Sequence, residues 1–232
     1  MVYITGDTHG IFKRIEKFCL RIQPTREDVL IILGDAGFNF FGGMRDRVKK
    51  ELVSRLPITV FSIHGNHEKR PASMDSYTVR EWRGGKVYVE EEFPNLLFAM
   101  DGEVYDFEGT KAMAIGGAYS VDKEYRIRLD WPWFPDEQPS EAIKQRVEAK
   151  LDALGWKIDV VLSHTTPYKY RPVELFTGEI DESTVDQSTE IWLGRLEDKL
   201  DYKRWYCGHF HINKNVDRLI LLFEDIREFN AE

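Results

Sequence analysis

Over the first seventy residues, nearly continuous apolar runs alternate with amphipathic stretches. Val2-Tyr3-Ile4-Thr5 is a short β-branched and aromatic run closed by Gly6-Asp7-Thr8-His9-Gly10, the pattern of a buried strand feeding a loop. From Ile11 to Ile22 the apolar positions Ile11, Phe12, Ile15, Phe18, Cys19 and Ile22 have the spacing of one helix face, and Pro24-Thr25 breaks it. Val29-Leu30-Ile31-Ile32-Leu33 reads as a central parallel strand ending in Gly34-Asp35. After Gly42 and Gly43, residues Met44, Val48, Leu52, Val53 and Leu56 mark a second helical stripe, stopped at Pro57. Ile58 to Ile63 is a third strand, ending in His64-Gly65-Asn66-His67-Glu68. Right-handed crossovers turn this β-α-β-α-β unit into parallel neighbours whose three polar loops share one edge. In open α/β sheets that edge is where ligands bind.

Past Arg70 the texture changes. No clear period runs to about Arg83, and Val87 to Val89, Leu96 to Met100, Val104 to Phe107 and Lys111 to Ile115 are short segments separated by Gly or Asp turns. They read as hairpins or a meander and predict a second, partly antiparallel sheet. Tyr119 to Gln138 holds Lys123, Arg126 and Arg128, then Trp131-Pro132-Trp133-Phe134-Pro135, and is too rich in proline for a helix. It is expected to be a long loop or lid. Ser140 followed by Glu141 opens a helix with Ile143, Val147, Leu151 and Leu154 on its apolar face and Gly155 at its end. Ile158 to Leu162 is a strand ending in Ser163-His164, and 168–187 is expected to be loop. Ile191, Leu193, Leu196 and Leu200 suggest one more helix, Trp205-Tyr206-Cys207 leads into Gly208-His209-Phe210-His211, and Leu219 to Phe223 is a closing strand. With no internal repeat and no low-complexity linker, the 232 residues are expected to form a single domain, 1–232, with 119–138 as its lid or substrate loop.

Composition narrows the classes. No stretch approaches the roughly 18 apolar residues of a membrane span, and no secretory-type leader is visible, so a soluble, cytoplasmic protein without membrane contact is expected. Cys19 sits in an amphipathic pattern and Cys207 in an aromatic one, as buried thiols in a reducing compartment do. The formal net charge of −8 argues against strong nucleic-acid binding, which runs on exposed basic surface. A small anionic substrate held by metal ions is compatible with it. The chain carries no signal for an oligomeric state.

The polar residues at the strand ends are Asp7, His9, Asp35, Asn66, His67, His164, His209 and His211. All six histidines, His64 included, lie at or beside a strand terminus. Carboxylate, imidazole and one amide oxygen, without cysteine, suit manganese, iron or zinc better than a structural zinc knot. The candidates outnumber the roughly four ligands of one tetrahedral ion. Two ions about 3.5 to 4 Å apart, sharing one carboxylate, fit the count and would activate a water for in-line attack on phosphorus.

Gly6-Asp7-Thr8-His9-Gly10, Gly34-Asp35, Gly65-Asn66-His67-Glu68, Ser163-His164 and Gly208-His209-Phe210-His211 stand in the order of the signature blocks of the calcineurin-like metallophosphoesterases, and from residue 2 to about 211 the chain resembles that family. The resemblance implies a four-layer αββα sandwich, two mixed sheets flanked by helices, and hydrolysis of phosphate mono- or diesters. It implies two divalent metal ions, manganese first, with iron or zinc as alternatives. Asp7, His9 and His211 would hold one, Asn66, His164 and His209 the other, and Asp35 would bridge them. His67 would face the phosphate, stabilising charge or protonating the leaving oxygen. One departure matters: three residues after Asp35, where protein phosphatases of the family carry an aspartate and repair nucleases a histidine, this chain has Phe38. That weakens both assignments. Asn39, next in the chain, is a candidate to orient water or phosphate.

Lys123, Arg126 and Arg128 are candidates to clamp a substrate phosphate, since guanidinium forks suit oxyanions, although a solvated loop carries such residues routinely. Trp131 and Trp133 are expected to pack the lid. Stacking on an aromatic leaving group is the alternative. His64 and Glu68 are expected to be buried structural groups or to support the ligands from behind, and Cys207 to be core. Two functional classes remain: a hydrolase of a small phosphorylated substrate, nucleotides among the candidates, and a catalytically silent scaffold for a protein partner. A nuclease or protein phosphatase of the same superfamily is a further alternative. The presence of His67 beside every expected ligand favours the enzyme, because a scaffold has no chemical need of it.

Overall fold

The structure is a computed structural model that describes residues 1–176 and 182–231. Two mixed sheets form its centre. The first is seven-stranded, in the order β13-β1-β2-β3-β6-β5-β4. Its strands are β1 (Val2–Thr5), β2 (Val29–Ile32), β3 (Thr59–Ser62), β4 (Thr78–Trp82), β5 (Gly85–Val89), β6 (Leu96–Ala99) and β13 (Ile226–Glu228). The second is six-stranded, in the order β11-β12-β10-β9-β8-β7. It comprises β7 (Val104–Phe107), β8 (Thr110–Ile115), β9 (Lys157–Ser163), β10 (Asp201–Cys207), β11 (Lys214–Val216) and β12 (Leu219–Leu221). Strands β1, β2, β3 and β6 run parallel, as do β8, β9, β10 and β12, and the outer strands close each sheet antiparallel.

Side-chain alternation along the buried strands sorts the core into three layers. Leu30 and Ile32 of β2 face α1 (Lys13–Ile22) and α2 (Met44–Ser54), packing with Ile15, Phe18 and Val53. Val29, Ile31 and Leu33 point the other way, into a core shared by both sheets with Phe61, Tyr105, Ala114 and Leu162. The far face of the second sheet, through Met113, Val161 and Trp205, covers α4 (Glu141–Ala153) and α5 (Ser188–Glu197) by way of Val147, Leu151, Trp192 and Leu196. The result is the helix–sheet–sheet–helix sandwich. Each such side chain buried contributes about 1.5–3 kcal/mol, so the three layers are the main stabilising mass.

Four sequence expectations change. The meander does not build one sheet: β4 to β6 extend the first and β7 and β8 belong to the second. β6 carries apolar residues on both faces, which fits it to lie parallel beside β3 as a central strand. β4 is almost wholly exposed at the edge of its sheet, so it shows no apolar alternation to read. The segment 119–138 is not all loop, because α3 (Lys123–Arg128) forms in it; Pro132 and Pro135 lie beyond its last turn and leave it intact. Finally, α2 turns its apolar stripe outward. Met44, Val48 and Leu52 are exposed, while Asp46, Lys50 and Val53 face in. Polar ties set that rotation: Asp46 accepts the N–H groups of Phe41 (3.1 Å) and Gly42 (2.7 Å), and Lys50 pairs with Glu90.

The remaining segments agree more closely. Ser140 caps α4, accepting from the Ile143 N–H at 3.3 Å. Within 168–187 the described part holds short 3₁₀ turns at Tyr168–Tyr170, Val173–Leu175 and Glu182–Thr184, and 177–181 lie outside the described residues. β11 and β13, three residues each and half-buried, were too short to register as runs. Cys19 and Cys207 are buried free thiols. Among the described residues no helix is long and apolar enough to cross a membrane.

Candidate metal centre

The parallel strands deliver the chemistry to one edge. Asp7 and His9 follow β1, Asp35 follows β2, Asn66 and His67 follow β3, His164 follows β9, and His209 and His211 follow β10. The loops turn hard there: His9 (φ 47°), Asp35 (φ 49°), His209 (φ 67°) and His211 (φ 52°) all adopt the left-handed region that side chains rarely occupy. Such strain costs on the order of 1–3 kcal/mol per residue and persists where the surroundings hold it for a purpose. Glycine makes the close approaches possible. A Cβ at Gly65 would lie 2.0 Å from Asp35 Oδ1.

Two groups of donors result. In the first, His9 Nε2 and His211 Nε2 are 2.8 Å apart, and Asp7 Oδ2 is 3.3 Å from His211 Nε2 and 3.7 Å from His9 Nε2. Asp7 Oδ2 is buried without a hydrogen bond. Asp7 Oδ1 is spent on the His209 N–H (2.9 Å). Burial pushes the Asp7 carboxyl up, but the imidazoles of His211, His164 and His9 outweigh it and hold the group well below the usual carboxylate range. The His211 ring is raised by its contact with Asp7, whereas burial lowers His9.

In the second group, Asn66 Oδ1 lies 2.8 Å from His164 Nε2 and 3.1 Å from His209 Nδ1. The Asn66 amide donates to Ser120 Oγ at 2.9 Å, which orients Oδ1 toward the two rings. His164 Nδ1 faces the Leu33 carbonyl at 2.7 Å, and only a protonated Nδ1 can bond there. In the neutral ring, Nε2 therefore presents a lone pair to the lone pair of Asn66 Oδ1. Burial and His164 push His209 down to about 3, which leaves it too with a lone pair to offer. Asp35 Oδ2 stands between the groups, 4.0 Å from His9 Nδ1 and 3.7 Å from His164 Nε2, while Oδ1 accepts the His67 N–H at 2.8 Å. An acceptor facing an acceptor at His164 and Asn66, with the orphaned buried carboxylate oxygen of Asp7, is what a cation reconciles, and the donor set fits divalent ions.

His67 belongs to neither of these two groups, although one of its ring nitrogens lies within 4.8 Å of ligand atoms of His9 and Asp35. Its Nδ1 is met by an Arg126 guanidinium nitrogen, and its Nε2 is 3.8 Å from Asp122 Oδ1. Burial and Arg126 lower it to about 3. Phe38 is buried, stacked on Phe12 and edge-on to Phe98, and is part of the helix-side core. Asn39 is buried away from the cleft and accepts from the Tyr77 hydroxyl at 3.0 Å, so the structure does not bring it to the substrate side. Arg128 is exposed, over the Tyr125 ring, and is not brought there either. Arg126 does reach the site, through His67. Trp133 packs, its N–H on Glu137 (2.8 Å), whereas Trp131 is exposed against Tyr125. Glu68 is buried and accepts the Gly65 N–H (3.0 Å), with burial and Asp35 pushing it up to about 8. His64 is buried behind the site and outside both donor groups.

A cleft of about 540 Å³ opens over Asp35, Asn66, His67, His209 and His211. Its walls include Tyr119, Val121, Leu175, Phe176, Arg171 and Glu190. Tyr119 and Val121 belong to 119–138, the stretch expected to be a lid or substrate loop, whereas Arg171, Leu175, Phe176 and Glu190 were not singled out in the sequence. For Leu175 and Phe176 the available signal was the apolar character of 173–176, because a solvated loop has little need of Val173, Leu175 and Phe176.

Two stacked mixed sheets between helices, with oxygen and nitrogen donors gathered at one strand-end edge, define a metal-site α/β sandwich. The calcineurin-like phosphoesterase profile matches residues 1–213, and the chain belongs to that family. Membership implies metal-dependent phosphoester hydrolysis in general. The crystal structure of TT1561 of Thermus thermophilus superimposes with a TM-score of 0.52 at 12% identity, covering 100% of this chain and 98% of that one. The phosphopantetheinyl hydrolase of Mycobacterium tuberculosis gives a TM-score of 0.46 at 18% identity, covering 96% of this chain and 87% of that one. Among curated proteins no match was found.

Proposed function

We propose that this protein hydrolyses small phosphate mono- or diesters with two divalent ions, manganese first among the candidates. Asp7, His9 and His211 hold one, Asn66, His164 and His209 the other, and Asp35 is shared. The observation that carries this reading is the pair of donor groups on either side of Asp35, with the buried Asp7 Oδ2 left without a hydrogen bond in one and His164 Nε2 facing Asn66 Oδ1 in the other. Such ions supply a nucleophile at neutral pH and neutralise phosphoryl charge. The chain's own residues do the rest. His67 lines the cleft within reach of a phosphoryl oxygen, and Tyr119, Val121, Leu175 and Phe176 offer apolar wall to the organic part of the ester. A cleft of about 540 Å³ suits a small ester, nucleotides included, better than a polynucleotide.

The test is turnover of p-nitrophenyl phosphate and of its bis-p-nitrophenyl diester by manganese-loaded protein. Asp35→Asn is expected to lower either rate on the order of 100-fold or more, as loss of a charge-stabilising group does. Activity surviving in Asp35→Asn would sink the mechanism. A second reading, a metal-binding scaffold for a protein partner, is favoured by one feature: Tyr125, Ile127, Leu129 and Trp131 are exposed together on and beside α3. Metal uptake without turnover of either ester would select it.

A further inference from the structure

Arg126 is almost wholly buried, and each part of its guanidinium is engaged. Nε donates to Asp122 Oδ2 at 2.8 Å, Nη1 donates to the Pro132 carbonyl at 3.1 Å, Nη2 meets His67 Nδ1, and the group lies 5.4 Å from the Phe40 ring centre. A guanidinium has five N–H donors and no acceptor. The imidazole nitrogen it meets must therefore present a lone pair. A proton on Nδ1 would point at another proton, and a metal ion on Nδ1 would displace the arginine.

The ring's proton is left to Nε2. No carboxylate reaches Nδ1 from the loop after β2, because Phe38 fills that position and is packed between Phe12 and Phe98. Asp122 Oδ1, buried and without a hydrogen-bond partner, is 3.8 Å from Nε2, too far to capture its proton. Nε2–H is thus free to turn to a ligand in the cleft that His67 lines.

We propose that Arg126, held by Asp122 and the Pro132 carbonyl, is a positioning residue that fixes His67 as the Nε2–H tautomer, a hydrogen-bond donor to phosphoryl oxygen and not the acid that protonates the leaving oxygen. The consequence for chemistry rests on the phosphoesterase reading above. When the bond from phosphorus to the leaving oxygen breaks, its electron pair stays on that oxygen, and the proton that completes the alcohol comes from solvent. Turnover then favours esters whose leaving groups are stable as anions. Aryl esters outpace alkyl ones steeply.

Long-range ¹H–¹⁵N correlation of ¹⁵N-histidine-labelled protein tests the tautomer directly. Zinc-loaded protein keeps the sample diamagnetic, and His67→Gln assigns the resonances. The expected spectrum has His67 Nδ1 as a lone-pair nitrogen and Nε2 as a protonated one, and a protonated Nδ1 overturns the proposal. In manganese-loaded protein Arg126→Met is expected to lower kcat about 10- to 100-fold. KM and metal content change little, and Arg126→Lys, which keeps a donor, restores part of the rate. An unchanged kcat in Arg126→Met, or equal rates for aryl and alkyl esters in the unmutated protein, overturns it as well. If the unmutated protein hydrolyses no ester, the functional reading fails while the nitrogen spectrum still decides the tautomer.

Discussion

Gly208 shows how little space the ligand loops leave. A Cβ there would meet Asp7 Oδ1 at 2.3 Å and the Leu33 carbonyl oxygen at 2.8 Å, both atoms held by the fold. Asp7 Oδ1 in turn takes the N–H of His209, so crowding at Gly208 disturbs members of both proposed metal groups. Gly208→Ala is expected to cost about 1–3 kcal/mol, as overpacking does, and to lower the melting temperature by roughly 2–10 °C. Calorimetry with metal analysis checks both effects. An unchanged melting temperature would mean the loop moves aside freely. At this scale the donor residues were legible, because each is a polar residue at the end of an apolar run, in a loop with a glycine in every case but His164, which follows Ser163. The partner of His67 was not. Arg126 is 59 residues away in sequence and on a short helix hidden by neighbouring prolines.

Among elements, β9 shows how one side chain ties a sheet together. Asp159 Oδ2 accepts the Lys111 N–H of β8 at 2.9 Å, and Oδ1 pairs with Lys203 of β10 at 2.7 Å. The hydrogen bond from Lys203, then the Lys111 N–H, hold its carboxyl below the ordinary value of 3.8. A group depressed in the folded state contributes stability above its unfolded value, and that contribution is lost as pH falls through the folded value. Being partly solvated, it is worth at most about 1 kcal/mol. Asp159→Asn is expected to lower the urea midpoint at pH 7 and to match the unmutated protein once pH has fallen below the folded value. An equal deficit at neutral and strongly acidic pH would refute the linkage. α2 teaches the opposite lesson about periodicity. Its stripe of Met44, Val48 and Leu52 is helical, yet Asp46 and Lys50 decide which way the helix faces.

Across the whole molecule, the proposed metal ligands join the two sheets. Asp7, Asp35 and Asn66 come from strands of the first, His164 and His209 from strands of the second. Ions held between them would bind the folded chain and not the unfolded one, so manganese is expected to raise thermal stability. At about 100-fold excess over Kd the gain is about 2.7 kcal/mol, or roughly 5–10 °C for a chain of this size. Differential scanning calorimetry with and without a chelator checks it. No shift at saturating metal would contradict a centre built across the sheet interface.

The chain's apolar periodicity determined by itself the parallel strands β1 to β3, the flanking helices and the edge on which Asp7, Asp35, Asn66 and the histidines emerge. Strand direction and side-chain alternation are local, and a glycine after a strand marks its ligand-bearing end. Tertiary structure decided the sheet to which β4 to β8 belong, the face that α2 buries, the residues that wall the cleft, and the guanidinium against His67. Those outcomes depend on which polar groups from distant segments find one another once the core has packed, and apolar spacing along a chain carries no record of such pairings.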